Sequence, residues 1–348
     1  MNRKVFTHHI SRITPVANSA NIAAEVFSQA QTTLFLNRSR TLSRLYPSLR
    51  LLATATPAFD SYPLYLYPMG MTHKPLILIT NDDGIHSPGL HAAITALEKM
   101  GELLIIAPTE QQTGMSRSLP ATFDGRIHPI ELEHAGKTYP AYHMNGSPAQ
   151  CVLYGVMECA QRPPDLIVSG INYGENLGNS TMISGTVGAA LQGGDMGIPS
   201  LAISLETKKE YHYNHGEDVD WSAAQYWLNF FARQALASQP WPEDVAALKI
   251  DIPAPATPKT PWRITRQSRH LYYISIPTNR NHPEEPVVMD YHVQIDPQAI
   301  EPDSDIYAFA VERIISVTPL SVNLTARVSL QEFATQLGRQ PLAPDNND

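Results

Sequence analysis

Leu76-Ile77-Leu78-Ile79-Thr80-Asn81-Asp82-Asp83-Gly84-Ile85-His86-Ser87-Pro88-Gly89 is the stretch that decides how this chain is read. Five residues suited to a buried strand run into two adjacent carboxylates, then a glycine, then a Ser-Pro of the kind that opens a helix. In a parallel α/β sheet, ligands bind at the carboxyl ends of the strands. Two carboxylates side by side there repel each other, and a hard divalent cation relieves that repulsion because carboxylate oxygens suit Mg²⁺, Mn²⁺ or Ca²⁺. The same residues also fit an Asp-Gly turn whose second Asp caps the next helix.

Downstream, the pattern stays regular. Apolar Leu90, Ala93, Ile94 and Leu97 recur at helical spacing over Pro88–Met100, with Gly101 as the stop. Leu103–Ala107 reads as a second buried strand, completing a parallel crossover unit. Thr109–Pro148 reads as a loop followed by hairpin-like strands, and Ala149–Ala160 as a helix. Asp165–Ser169 is a third buried strand ending at Gly170, Thr186–Met196 a small-residue helix, and Ser200–Ser204 a fourth strand. Asp220–Ala237 is an amphipathic helix with Trp221, Ala224, Trp227, Leu228 and Phe231 on one side. After Leu248 proline becomes frequent and short β-like pieces follow, Leu271–Ile276 and Ile314–Val317 among them, with a last helix over Ser329–Leu337.

Whole-chain properties narrow the function. The 348 residues are 43% hydrophobic and carry a net charge of -8, so no basic field invites a nucleic-acid duplex or an anionic membrane. No apolar stretch approaches the roughly 20 residues of a spanning helix. Cys151 and Cys159, if helical, lie about 12 Å apart at about 1.5 Å per residue, too far for a disulfide. That fits a reducing, cytoplasmic setting. The first seventy residues differ in kind: seven Arg and Lys stand against Glu25 and Asp60 alone. This composition fits an organelle transit peptide, whereas Met71, just ahead of the first strand, fits an early translation start or a disordered extension. The expected organisation is an extension over 1–73, an α/β catalytic core over 74–248, a β-rich part of the same domain over 249–339 serving oligomerisation, and a disordered tail over 340–348.

Three more stretches fall at the same strand ends. Pro108-Thr109-Glu110-Gln111-Gln112-Thr113-Gly114-Met115-Ser116-Arg117 brings hydroxyls and an arginine to the edge that holds Asp82 and Asp83, although it also reads as an ordinary polar connection. Ser169-Gly170-Ile171-Asn172-Tyr173-Gly174-Glu175-Asn176-Leu177-Gly178 alternates Gly and Asn, which lets backbone approach a ligand, and Asn172 adds a neutral oxygen suited to a hard metal. Ser184-Gly185-Thr186-Val187-Gly188-Ala189-Ala190 presents backbone N–H groups at a helix start, a ready phosphate site, although Ser184 also fits a plain N-cap.

Together these residues resemble the SurE family, the survival-protein 5′/3′-nucleotidases. Asn145-Gly146-Ser147-Pro148-Ala149, Gly197-Ile198-Pro199-Ser200, Ile264-Thr265-Arg266-Gln267 and Ser316-Val317-Thr318-Pro319-Leu320 extend the resemblance from about Pro75 to Leu337. It implies a Rossmann-like three-layer α/β sandwich with a mostly parallel sheet and a β-rich C-terminal extension used for oligomerisation. It also implies a phosphomonoesterase acting on nucleoside monophosphates with one Mg²⁺ or Mn²⁺ per subunit, assembled as a homodimer or homotetramer. The family's metal ligands map onto Asp82, Asp83 and Asn172. Its loop serine falls on Thr113, with Ser116 the other candidate. Asp82 and Asp83 are then the catalytic carboxylates, and Asn81, Ser184, Gly185 and Thr186 the phosphate binders. A receiver-type signalling domain lacks support because no Asp stands in Ser169-Gly170-Ile171-Asn172. A haloacid-dehalogenase-type phosphatase needs its second Asp two positions on, which Asp82-Asp83-Gly84 does not offer. A non-catalytic nucleotide-binding module on the same fold is the remaining alternative.

Overall fold

A computed structural model describes residues 73–214, 216 and 218–338. The expectations for the N-terminal extension, apart from His73, and for the 340–348 tail lie outside the described residues.

Leu76–Thr80 forms β1, buried along its whole length. Its burial on both faces explains the unbroken aliphatic run, since helices cover a parallel sheet from both sides. Helix α1 spans Pro88–Leu97 and stops three residues before the expected end, with the Met100 N–H closing on the Leu97 carbonyl in a turn. β2 is Glu102–Pro108. β3 (His128–His134) and β4 (Lys137–Met144) form the expected hairpin, and Ala135 and Gly136 both take positive φ at its two-residue tip. Helix α2 covers Pro148–Tyr154, starting from a Ser147–Gln150 capping box, and a π-helical turn carries it through Cys159.

β5 departs from expectation. It does not end at Gly170 but runs Leu166–Tyr173. Ser169 pairs with Ala202 and Asn172 with Ser204, so β5 inserts one extra residue there. Gly170 sits at φ 126°, which only glycine adopts readily. The bulge lets the strand continue while re-aiming its side chains. Helix α3 is Gly185–Asp195 and β6 is Ser200–Leu205. A single short turn, α4 (Tyr211–Asn214), precedes the long helix α5 (Ser222–Ala237).

Beyond α5 come β7 (Ala247–Ile252), β8 (Trp262–Ile264), β9 (Tyr273–Ile276), β10 (Asp290–Val293), β11 (Ile315–Leu320) and α6 (Leu330–Gln336). The main sheet has nine strands in the order β3-β4-β2-β1-β5-β6-β7-β11-β8, and β9 and β10 form a separate hairpin. β4, β2, β1, β5, β6 and β7 run parallel, β3 and β11 antiparallel to their neighbours β4 and β7. The change of composition near Leu248 therefore does not mark a break in the fold. β7 crosses it, and β11 and β8 extend the same sheet.

Two cores lie on the two faces. Leu90, Ile94 and Leu97 of α1 pack with Trp227, Leu228 and Phe231 of α5 against Ile77, Ile79 and Val168. On the opposite face Cys151 and Val152 of α2 and Ala189 of α3 pack against Leu78, Ile106 and Ile167. This is a three-layer α/β sandwich. The chain grows outward from β1 to β2, then returns to add β5 on the other side. The switch point at β1 is where such sheets open a crevice at their carboxyl edge.

Candidate active site

Every chemistry-bearing stretch meets at that crevice. Asp82 and Asp83, directly after β1, are each 4% exposed. Asn81 is fully buried, and its side chain closes the turn: Nδ2 donates to the Gly84 carbonyl at 3.0 Å and Oδ1 accepts from the Gly84 N–H at 3.2 Å. Asn81, expected among the phosphate binders, also shapes the turn that presents the two aspartates, using one of its two Nδ2 hydrogens to do so. The backbone joins in, with the Ile85 N–H on the Pro108 carbonyl at 2.8 Å and the Gln112 N–H on the Asp82 carbonyl at 2.6 Å.

The first turn of α3 is aimed at Asp82. The Thr186 hydroxyl donates to Asp82 Oδ1. A Cβ on Gly185 would stand 2.8 Å from both Cβ and Oδ2 of Asp82, so only glycine lets the helix start approach this closely. Ser184 serves as N-cap, its Oγ accepting from the Val187 N–H at 3.1 Å. The capping reading and the phosphate reading of this segment coexist: the cap fixes the turn, and the turn points its positive end at the carboxylates.

Asp83 faces the loop after β2 and the bulged end of β5. Gln111 Nε2 lies 3.3 Å from Asp83 Oδ1, 2.8 Å from Thr113 Oγ1 and 2.7 Å from the His212 carbonyl. The Tyr173 N–H points at Asp83 Oδ2 from 3.4 Å. Asn172 donates through Nδ2 to the Gly174 carbonyl at 2.7 Å, which leaves Oδ1 as the atom it can offer a hard cation. Thr113 is exposed and tied to Asp83 through Gln111, whereas Ser116 Oγ donates to the Met182 carbonyl at 2.8 Å. Of the two hydroxyls, Thr113 is the one linked to the acidic pair.

The electrostatics fit a bound cation. Burial, with the Asp83 charge beside it, pushes the Asp82 carboxyl up from 3.8 to about 7, and the Thr186 hydrogen bond offsets only part of this. A divalent ion would replace that destabilising repulsion with attraction, and the donor set of two carboxylates, an amide oxygen and a hydroxyl suits a hard metal.

Sequence reasoning missed several residues. Gln111, within a noted stretch, is the bridge between Thr113 and Asp83. His212, in a polar segment without a motif, packs its ring against Gly174, and its Nδ1 lies 2.7 Å from Tyr291 Oη of the β9–β10 hairpin. Lys249 was missed entirely. It is fully buried on β7, with Nζ 2.6 Å from Asp251 Oδ2 and 3.0 Å from Asp305 Oδ2. Asp251 Oδ1 in turn accepts from the Asn176 N–H at 2.7 Å, and Asp305 Oδ2 from the Gly178 N–H at 3.0 Å. This three-charge cluster pins, from below, the loop that follows Asn172.

The fold and this acidic crevice define an α/β protein with a buried pair of carboxylates at the switch point of a mostly parallel sheet. Comparison with known proteins carries the assignment further. The family model described as Survival protein SurE matches residues 77–273. A protein named 5′-nucleotidase SurE from Thermococcus kodakarensis is 36% identical over 268 residues, covering 76% of this chain and 99% of that protein. One of the same name from Methanocella arvoryzae is 37% identical over 262 residues, covering 74% and 94%. The crystal structure of the SurE protein from Aquifex aeolicus superimposes with a TM-score of 0.61 at 27% identity, covering 76% of this chain and all of that one. The chain belongs to the SurE family.

Proposed function

We propose that this protein is a divalent-metal-dependent phosphomonoesterase that hydrolyses nucleoside 5′-monophosphates, and 3′-monophosphates as a second class, to nucleoside and phosphate. The observation that carries this reading is the convergence on one buried acidic pair, Asp82 and Asp83, of the first turn of α3 from one side and Asn172 with the Thr113 loop from the other. The names of the relatives at 36–37% identity support the substrate class.

Asp82, Asp83, Thr113 and Asn172 are the residues that would hold one Mg²⁺ or Mn²⁺ per subunit. Such an ion, when bound, neutralises phosphate charge and acidifies water. The chain's own part is positioning and proton handling. One of the two aspartates accepts the proton of the attacking water. The start of α3, at Ser184, Gly185 and Thr186, holds the phosphate oxygens on which charge grows as the ester bond breaks. Thr186 fixes Asp82 while doing so. No covalent nucleophile is required.

We place the enzyme in the cytoplasm as a homodimer or homotetramer. None of the described helices is long and apolar enough to cross a membrane. Apolar Val288, Met289, Leu330, Phe333 and Leu337 are exposed in the C-terminal third, where a second copy would cover them. A panel of nucleoside monophosphates against Mg²⁺, Mn²⁺ and chelator tests the reading. Phosphate release that requires the metal is expected. Nucleotide binding without turnover under every metal would identify a non-catalytic module instead. Light scattering at micromolar concentration tests the assembly, and a monomeric mass would overturn it.

A further inference from the structure

Five histidines, His86, His91, His128, His134 and His143, gather where the β3–β4 hairpin meets α1 and the loop before it, and none has a part in the proposed hydrolysis. His128 and His143 stack across the hairpin with ring centroids 5.0 Å apart. The other pair is arranged differently. His91 Nδ1 on α1 and His134 Nδ1 at the end of β3 face each other at 3.1 Å.

Hydrogen-bond accounting fixes the state of His134. The Thr95 hydroxyl has one proton, and it lies 3.2 Å from the His91 carbonyl one turn back along α1. The same Thr95 oxygen is 2.7 Å from His134 Nε2. Both contacts are satisfied together only when Thr95 donates to the carbonyl and accepts from an Nε2–H of His134. His134 Nδ1 is then a bare lone pair directed at His91 Nδ1. Two imidazole nitrogens on one tetrahedral zinc, at about 2.0–2.1 Å each, stand about 3.3 Å apart. The observed separation is close to that, so little movement is needed to seat an ion. Both rings are held: His91 by the helix, His134 by the tight Ala135–Gly136 turn that follows it. Burial is the main cause that lowers both imidazoles from their ordinary value; at His134 the nearby Glu98 opposes the lowering and Lys137 adds to it, so the neutral, ligand-competent form is favoured in both rings. Glu98, hydrogen-bonded by Lys137 at 2.6 Å, adds negative charge beside His134.

We propose that His91 and His134 form a second metal site, chelating a borderline transition ion such as Cu²⁺, Zn²⁺ or Ni²⁺ through their two Nδ1 atoms, with water completing the shell. Imidazole suits these ions, whereas the Asp82–Asp83 site suits hard ones, so the two sites differ in the metal they select. Binding moves the His91 proton from Nδ1 to Nε2 through solvent, with no net change of protonation. The ion joins the edge strand β3 to helix α1. This site stands independently of the hydrolase reading.

The test is Cu²⁺ titration of the full chain followed by electron paramagnetic resonance, for the natural protein, H134Q and T95V, with Mn²⁺-supported hydrolysis measured alongside. The natural protein is expected to show one equivalent of Cu²⁺ with a two-nitrogen signature. H134Q is expected to lose that signature and bind that equivalent at least tenfold more weakly. T95V, which keeps both imidazoles but loses the acceptor that fixes the tautomer, is expected to bind several-fold more weakly, and hydrolysis to stay unchanged in both. An unaltered signature and affinity in H134Q, or no two-nitrogen signature in the natural protein, would overturn the site. Unaltered affinity in T95V alone would overturn the tautomer argument on which it rests.

Discussion

Replacing Asp82 with Asn separates the two costs that this aspartate embodies. The carboxyl is raised from 3.8 to about 7 in the folded chain without metal, chiefly by burial and then by Asp83. Between those two values the folded protein keeps a proton that the unfolded chain has released. Stability therefore falls as pH rises from about 4 to about 7, and the full penalty stands above 7. At about 1.4 kcal/mol per unit, the penalty is at most about 4 kcal/mol at pH 8 and about a third of that at pH 5. Asn keeps the shape, still accepts from Thr186 through Oδ1, and carries no charge. In chelator, D82N is expected to melt higher than the natural protein by up to about 10 °C at pH 8, at roughly 2–4 °C per kcal/mol, with a markedly smaller gain at pH 5. With saturating Mn²⁺, the natural protein is expected to gain stability and D82N little, and hydrolysis by D82N to fall about 100-fold or more. Melting curves in chelator at the two pH values and in saturating Mn²⁺, with initial rates in Mn²⁺, read all three. A stability gain of equal size at both pH values, or near-normal turnover, would refute the reasoning.

Lys249→Met should cost about 3–5 kcal/mol in urea denaturation, because Asp251 and Asp305 are left buried without their cation; a cost under about 1 kcal/mol would show that water reaches them. Gly185→Ala places a methyl against the Asp82 carboxylate and is expected to lower the rate by about 100-fold with the fold retained, since displacement of about 1 Å at a reacting group carries that penalty. An unchanged rate would remove the α3 start from the site. The chain beginning at Met71 should keep full specific activity, because the family match starts at residue 77. Loss of activity on that truncation would assign the first seventy residues a part in the enzyme.

The parts of the fold that were legible in the sequence are those specified locally. An aliphatic run ending in Asp82-Asp83 reads as a buried strand delivering charge to an edge, and Ser184 announces its helix through capping chemistry, whereas the Ser147–Gln150 capping box was not read from the sequence. What sequence did not disclose depends on distant neighbours. Gly170 reads as a strand stop, yet here glycine permits a bulge that carries the strand on to Asn172. In Leu248-Lys249-Ile250-Asp251-Ile252 the alternation looks like one wet face and one dry face. Both faces are dry, because Asp305, some fifty residues on, supplies the second counter-charge to Lys249. His212 shows no local signal at all; its place is set by the β9–β10 hairpin that reaches it through Tyr291.

The position of β11 between β7 and β8 has a consequence for how the molecule comes into being on the ribosome. β8 is synthesised about fifty residues ahead of the strand it pairs with, and β7 waits even longer for its outer neighbour. At about 5–20 residues per second, that is an interval of several seconds. Until Asp305 emerges, Lys249 has only one of its two anions, and the loop behind Asn172 lacks the anchor on Gly178. A nascent chain can thus expose all four candidate metal ligands while the site that they form is still unlocked. Competence arrives late and abruptly, with the insertion of a strand from the last tenth of the chain into the interior of a sheet begun at residue 76.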